Sequence, residues 1–239
     1  MKILMVGSAA NVGPVLKRGL ERLGHTVVLV HNPSVFDDTV ETKKLKWGFP
    51  VKRYGDGFDV VHVHSPNLKK LLAVFPYWWH CVPLVCHWHG SDLRVWRKSF
   101  PVKRWFIRHA AMNLYSTLDL AWWIQGAPKR LLNCPVDTEL FKPWAVPGSG
   151  MVTFNGGGRS FCDHRIPHKE MPEYLRRYSR ADIHNSMGLD DGLFSVIAFE
   201  AAACGLDVAQ FPWMTREWVM GSCGMDVIAE QMEEIYGGL

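Results

Sequence analysis

The chain has 239 residues, enough for one large domain or two small ones with a sizeable core. Hydrophobic residues make up 48% and charged residues 21%, which excludes a disordered chain. The net charge of +4 is too small to require nucleic acid by itself, so the distribution of charge has to decide. Six cysteines, at 81, 86, 134, 162, 204 and 223, form no CxxC pair and are expected to be buried thiols of a reduced compartment.

Lys2 to Val6 is a short apolar strand at the very start, so no signal peptide is expected. The loop Gly7 to Gly13 follows. Val15, Leu16, Leu20 and Leu23 then mark one face of a helix ending at Gly24, and His25 to Val30 is a second buried strand. This strand–glycine loop–helix–strand unit is Rossmann-like, without GxGxxG or GxxxxGK[ST]. Gly7 and Gly13 stand as candidate ligand-contact positions, the competing reading being a tight turn with no ligand. Phe58 to His64 is the next strand, Asn67 to Phe75 a helix and Pro83 to His87 another strand. Leu71 to His89 carries no Asp, Glu, Lys or Arg, near the length of a membrane span. Its prolines and histidines favour helix, turn and buried strand instead.

His62/His64 and His87/His89 are i, i+2 pairs, each on one face of a strand. Adjacent strands would bring four imidazoles together in a manner that suits a metal. No cysteine or acid at ligand spacing accompanies them, hydrogen-bonded structural histidines are the competing reading, and no metal is expected. Arg94, Arg97, Lys98, Lys103, Arg104 and Arg108 lie among Trp96, Phe100, Trp105, Phe106 and Ile107. Lys43, Lys44, Lys46, Lys52 and Arg53 surround Trp47 and Phe49. Such stretches suit an anionic membrane surface, or a solvated helix face with its aromatics turned inward; nucleic acid is not expected.

Residues 144–150 are a linker by composition. Met151 to Asn155 is a strand running into Gly156-Gly157-Gly158-Arg159, Glu170 to Tyr178 a helix and Ala181 to Asn185 a strand. In the stretch from Asp190 to Phe211, Phe194, Ile197, Ala198, Ala201 and Ala202 recur at helical spacing up to Gly205, and Leu206 to Phe211 reads as a buried strand. Asp190 and Asp191 precede the helix, whose first N–H groups favour negative charge, including a phosphate. Glu200, in an alanine-rich helix, needs a partner or a ligand, unless it snorkels to the helix edge. Met225 to Tyr236 is a terminal helix.

Three segments resemble the retaining GT4 family of GT-B glycosyltransferases, in that family's order. Phe194-Ser195-Val196 with Glu200, Ala201 and Gly205 resembles the donor-site signature. His89-Gly90-Ser91-Asp92-Leu93 resembles the loop whose histidine approaches the transferred sugar. Asn133 with Val136-Asp137-Thr138, Phe141 and Pro143 resembles the segment closing the first domain. The resemblance implies an α/β chain of two Rossmann-like halves of GT-B type, the second reduced: 1–143 on the acceptor side, 144–150 as linker and 151–239 for the nucleotide sugar.

It further implies sugar transfer from a nucleotide diphosphate sugar, UDP- or GDP-linked, to a glycan or lipid-linked hydroxyl acceptor with retention. No metal or other cofactor is required. Glu200 would hold the ribose, Ser195, Val196 and Arg159 the diphosphate, and His89 would act on the sugar. Gly192 falls where the family has its first glutamate, so Asp191 would have to replace that acid, and the phosphate lysine has no counterpart. A GT-B-like binding or scaffold protein that lost catalysis is therefore the alternative. The implied location is the cytoplasm, peripheral on the inner face of the membrane.

Overall fold

The computed structural model describes residues 1–8, 11–30, 57–94, 100–145, 148–155, 168–184, 196–209 and 211–239. Strands β1 (Lys2–Val6), β2 (Thr26–Val30), β3 (Val60–His64), β4 (Leu84–Trp88), β5 (Met112–Tyr115) and β6 (Lys129–Leu131) form one sheet in the order β2-β1-β3-β4-β5-β6. All its pairings are parallel. The chain leaves β1 for β2 on one side and returns to β3 on the other. The strand order therefore reverses between β1 and β3, where parallel α/β sheets open a crevice at their strand C-termini.

Both faces of this sheet are covered, as parallel strands require. Alternation along β3 and β4 sends Val61, Val63, Leu84 and Cys86 to a core shared with Phe106 and Ile107. These last two belong to α4 (Phe100–His109), which lies beside α2 (Leu68–Trp79). Val60 and Val85 face the other way, onto Leu16 and Leu20 of α1 (Val12–Arg22) and Ile228, Met232 and Ile235 of the last helix. α1 and that helix touch backbone to backbone: a Cβ on Gly19 would lie 2.8 Å from Ala229 Cβ and 3.0 Å from Met225 O.

The second sheet, also parallel, contains β7 (Met151–Asn155), β8 (Arg180–His184) and β9 (Asp207–Val208) in that order. It packs with α5 (Met171–Leu175) and α6 (Val196–Ala203) in a core containing Phe154, Leu175, Ile197 and Phe199. After α3 (Ser91–Arg94) in the first half and α7 (Arg216–Ser222) in the second, the chain ends in α8 (Met225–Gly237). α8 packs on the first sheet, so the packing unit around that sheet extends beyond residues 1–143.

Most predicted elements stand within a few residues of their expected limits, and several differ. α2 continues through Pro76 to Trp79. The expected helix over Glu170 to Tyr178 has its α-helical part confined to Met171–Leu175, after a 3-10 turn at His168–Glu170. The expected strand Leu206 to Phe211 pairs only over Asp207–Val208, because Phe211 N bonds to Val208 O and turns the chain away. The run from Leu71 to His89 is helix, turn and buried strand as expected, and no helix among the described residues is long and apolar enough to cross a membrane.

The segment after β6 joins the two halves by specific bonds. Asp137 Oδ1 accepts from the N–H groups of Glu139 (3.2 Å) and Leu140 (3.1 Å), closing a turn that delivers Phe141, fully buried, to the second core. The other carboxylate oxygen meets Arg18 of α1. Val136 N–H donates to Cys223 O at 2.8 Å and Val136 O accepts from Met225 N–H at 3.0 Å, tying the same segment to the start of α8. Asp137→Ala removes the turn and leaves Arg18 without its partner, so it should destabilise the protein by about 2–3 kcal/mol. Arg18→Ala, which leaves the turn intact, should lose less. Urea unfolding of both variants measures the difference, and equal losses would mean that the ion pair rather than the turn carries the joint.

Candidate functional site

The C-terminal ends of β1, β3 and β4 converge on Gly7, Ser65 and His89. Gly7 has φ +84° and Gly90 φ +123°, conformations that favour glycine. Asp92 accepts from His89 N–H (3.0 and 3.1 Å) and Gly90 N–H (2.9 Å), while Leu93 and Arg94 N–H return to Gly90 O. This local bonding explains the spacing of His89-Gly90-x-Asp92: the glycine turns the chain and the aspartate holds it turned. Burial raises the Asp92 carboxyl above its usual range, against the lowering effect of those N–H bonds and of Ser65.

Lys70, which sequence reasoning passed over, completes this edge. Its Nζ donates to His64 O and, at 3.0 Å, to Ser65 O. Burial pulls its pKa down to about 8, with Asp92 opposing. A Cβ on Gly7 would lie 2.5 Å from Lys70 Nζ, so the room left by this glycine is taken by the protein's own lysine. A Cβ on Gly13 would lie 3.1 Å from Ser8 Oγ, an atom that also accepts from Gly13 N–H. Both glycines thus have local packing reasons.

Below this edge the imidazoles come together. β3 and β4 pair in parallel with His64 opposite His87 and His62 opposite Val85. The His62 and His64 rings stack at 4.4 Å between centroids and those of His87 and His89 lie 4.1 Å apart. His62, His64 and His87 are fully buried; His89 is half-buried at the edge. His89 turns its ring inward, with Nε2 3.0 Å from His64 Nδ1 and Nδ1 3.4 Å from Ser116 Oγ. To act on a sugar, that ring must rotate away from His64. Burial keeps all four imidazoles neutral, with pKa values of about 3 for His62 and His89 and well below the usual value for His64 and His87.

In the second half, Val196 opens α6 and Glu200 lies within it. Glu200 is 1% exposed, so its carboxylate is enclosed and does not snorkel to the helix edge. Arg159, Asp191 and Ser195, with Gly192, lie outside the described residues. A groove lined by Arg180, Asp207, Thr215 and Arg216 opens beside the start of β8 and along β9.

The described cations of the basic stretch from Arg94 to Arg108 do not all face solvent. Arg94 makes a two-pronged pair with Asp119, both bonds 2.7 Å. Lys103 is buried, which lowers its pKa, and Arg104 and Arg108 are exposed. Phe106 and Ile107 are buried, while Trp105 packs on Trp78 and His109. The aromatics turn inward because α4 must cover the sheet. Arg97, Lys98, Trp96 and the whole 43–53 stretch lie outside the described residues. Cys81 is exposed, contrary to expectation, because it sits in the turn after α2; Cys86, Cys134, Cys204 and Cys223 are buried, and Cys162 lies outside the described residues.

No protein-family model matches the chain, and no curated protein matches it. Among solved structures it is similar to a protein from Listeria monocytogenes assigned as a UDP-N-acetylglucosamine 2-epimerase, with a TM-score of 0.55 and 10% sequence identity over 99% of this chain and 88% of that one. The fold is therefore α/β with Rossmann-like sheets, of the GT-B type.

If Gly7 serves Lys70 rather than a ligand, Gly7→Ala should lower stability by about 2–4 kcal/mol, combining positive-φ strain with overpacking. Lys70→Ala in the same chain should recover the overpacking part. Chemical denaturation of the single and double variants checks this, and a Gly7→Ala protein of unchanged stability would return the glycine to a ligand-contact role.

Proposed function

We propose that the chain is a GT-B enzyme that binds a nucleotide diphosphate sugar and transfers its sugar, with retention, to a glycan or lipid-linked hydroxyl. The observation that carries this reading is the bonded loop His89 to Asp92 at the C-terminal end of β4, one strand over from the strand-order reversal of the first sheet, combined with Glu200 enclosed in the alanine-rich helix of the second half. The Listeria protein, assigned as a UDP-sugar enzyme, supports a nucleotide sugar as ligand class.

In this reading Glu200 accepts two hydrogen bonds from the vicinal ribose hydroxyls. The amide of Val196 at the start of α6 holds the diphosphate together with Ser195 and Arg159, since helix N–H groups and a cation disperse the leaving group's charge. His89, once rotated out of its inward bonds, faces the sugar. Asp191 stands in for the acid replaced by Gly192. A metal-independent reaction in the cytoplasm, peripheral to the membrane, belongs to the same reading. A lipid-linked acceptor is supported by α2, where Leu68, Leu72, Phe75 and Trp79 are exposed at helical spacing on one face, an arrangement suited to a membrane interface.

A second reading, a binding protein that kept the fold and lost catalysis, is favoured by Gly192 and by the lack of a phosphate lysine in the second half. Donor hydrolysis without acceptor, followed by NMR of the released sugar, separates the two, and an epimerised sugar would point instead to the Listeria protein's chemistry.

The decisive variant is Glu200→Ala. Charge-assisted bonds of this kind contribute about 1.5–3 kcal/mol, so UDP or GDP should bind roughly ten- to a hundredfold more weakly, and Glu200→Gln should lose less. Because Glu200 is enclosed, circular dichroism must first show that each variant is folded. Unchanged nucleotide affinity in a folded Glu200→Ala protein would end the donor-site reading.

A further inference from the structure

We propose that His62, His64 and His87 bind a single first-row transition-metal ion, of which zinc is the reference case, inside the first sheet. The three side chains leave β3 and β4 on the same face, and one ring nitrogen from each lies within 4.8 Å of the other two.

The hydrogen bonding divides each ring into a held side and an open side. His62 Nδ1 meets Tyr236 OH at 2.7 Å, His64 Nδ1 meets His89 Nε2 at 3.0 Å, and His87 Nε2 meets Ser116 Oγ at 3.1 Å. The opposite nitrogens, His62 Nε2, His64 Nε2 and His87 Nδ1, are enclosed and have no hydrogen-bond partner among the described residues. Buried polar atoms are normally paired, and three orphans in neighbouring rings have a single economical explanation. In the tautomer that ligation requires, each held nitrogen donates its proton to the tyrosine, histidine or serine, and the open nitrogen presents a lone pair. Metal-bound histidines are oriented in this way, their second nitrogen fixed by an outer partner. Burial supports the same state, since it keeps these imidazoles neutral.

The donor set selects the ion. Three imidazoles without a carboxylate suit zinc, copper or nickel rather than magnesium or calcium. Tetrahedral zinc with bonds of about 2.0–2.1 Å places its nitrogen ligands about 3.3 Å apart, so the rings have to close on the ion, and those of His62 and His64, stacked as they stand, have to turn toward it. The fourth position falls to water. All three ligands are fully enclosed, so the ion enters while the chain folds. Through the bond between His64 and His89 it would fix the ring at the sheet edge, making His64 a positioning residue for the loop His89 to Asp92. This inference departs from the expectation of a metal-free chain and does not rest on the nucleotide-sugar reading.

Production in minimal medium supplemented with cobalt, followed by desalting and elemental analysis, tests it without refolding. The expected result is one cobalt ion per chain with the visible absorption of four-coordinate cobalt, and one zinc ion per chain from zinc medium. His62→Leu and His87→Leu should each abolish stoichiometric loading. Tyr236→Phe keeps all three ligands and removes the partner of His62, and should weaken cobalt binding about 10–100-fold. A folded wild-type protein that carries no stoichiometric cobalt or zinc would overturn the proposal, whatever the folding of the variants. Equal loading in a folded His62→Leu protein would do the same by moving the metal to another site.

Discussion

The constraint on which the first half depends is that polar rings have to be accommodated inside a parallel sheet covered on both faces. A protonated imidazole there loses its hydration, and the lost solvation outweighs what the neighbouring side chains return. The protein responds by keeping the rings neutral and by recruiting a partner for each from a different element: Ser116 after β5, Tyr236 from α8 and His89 from the loop after β4. The cluster consequently links the functional edge of the sheet to the last helix of the chain. Contacts run without a break from α8 to His89 through Tyr236, His62 and His64.

The same helix alters what the two halves mean. Composition divides the chain at residues 144–150, but α8 returns to the first sheet, while Val12 of α1 and Val136 contribute to the core around the second. Asp137, Arg18 and the Val136 bridge to Cys223 and Met225 hold these crossings together. Closure of one half over the other around a ligand would have to shear or break these bonds. That favours a small motion over a free hinge at the linker, since interfaces with several directed bonds shift between discrete arrangements.

Much of this was legible in the sequence, and for identifiable reasons. Strands β1, β3, β4 and β7 announce themselves as short apolar runs, and Gly24 and Gly90 adopt the positive φ that only glycine adopts readily. Asp137 and Asp92 stood in the segments that resemble the family, but the turns that they close by accepting from N–H groups two or three residues away were not read from the sequence. The helices over 100–109 and 216–222 were not predicted, although Thr215 caps the second by accepting from Trp218 N–H. Periodicity shows which residues share a face, but not which face finds a partner. The basic stretch therefore suggested a surface where Arg94 has Asp119 and Lys103 is enclosed, and the exposed row on α2 went unnoticed. Lys70 escaped because its bonds to His64 O and Ser65 O depend on how the start of α2 folds back over the end of β3.

Fold likeness and site chemistry answer different questions here. A likeness at 10% identity that covers 99% of this chain shows the fold, and a fold does not settle which residues bind a ligand. The residues have to be judged on their own bonds. By that measure the loop His89 to Asp92 is built for rigidity: Asp92 fixes its backbone, and His64 and Ser116 fix the ring. Preorganised dipoles act without reorganising at the moment of reaction, an advantage open to the loop's backbone but not to the His89 ring in its inward position. The ring's inward orientation sets the condition, for a ligand must either draw His89 out of the histidine cluster or be met by the neighbouring backbone alone. Rotation of the ring would leave His64 Nδ1 without its partner inside the sheet, so a ligand that recruits His89 has to outweigh that loss.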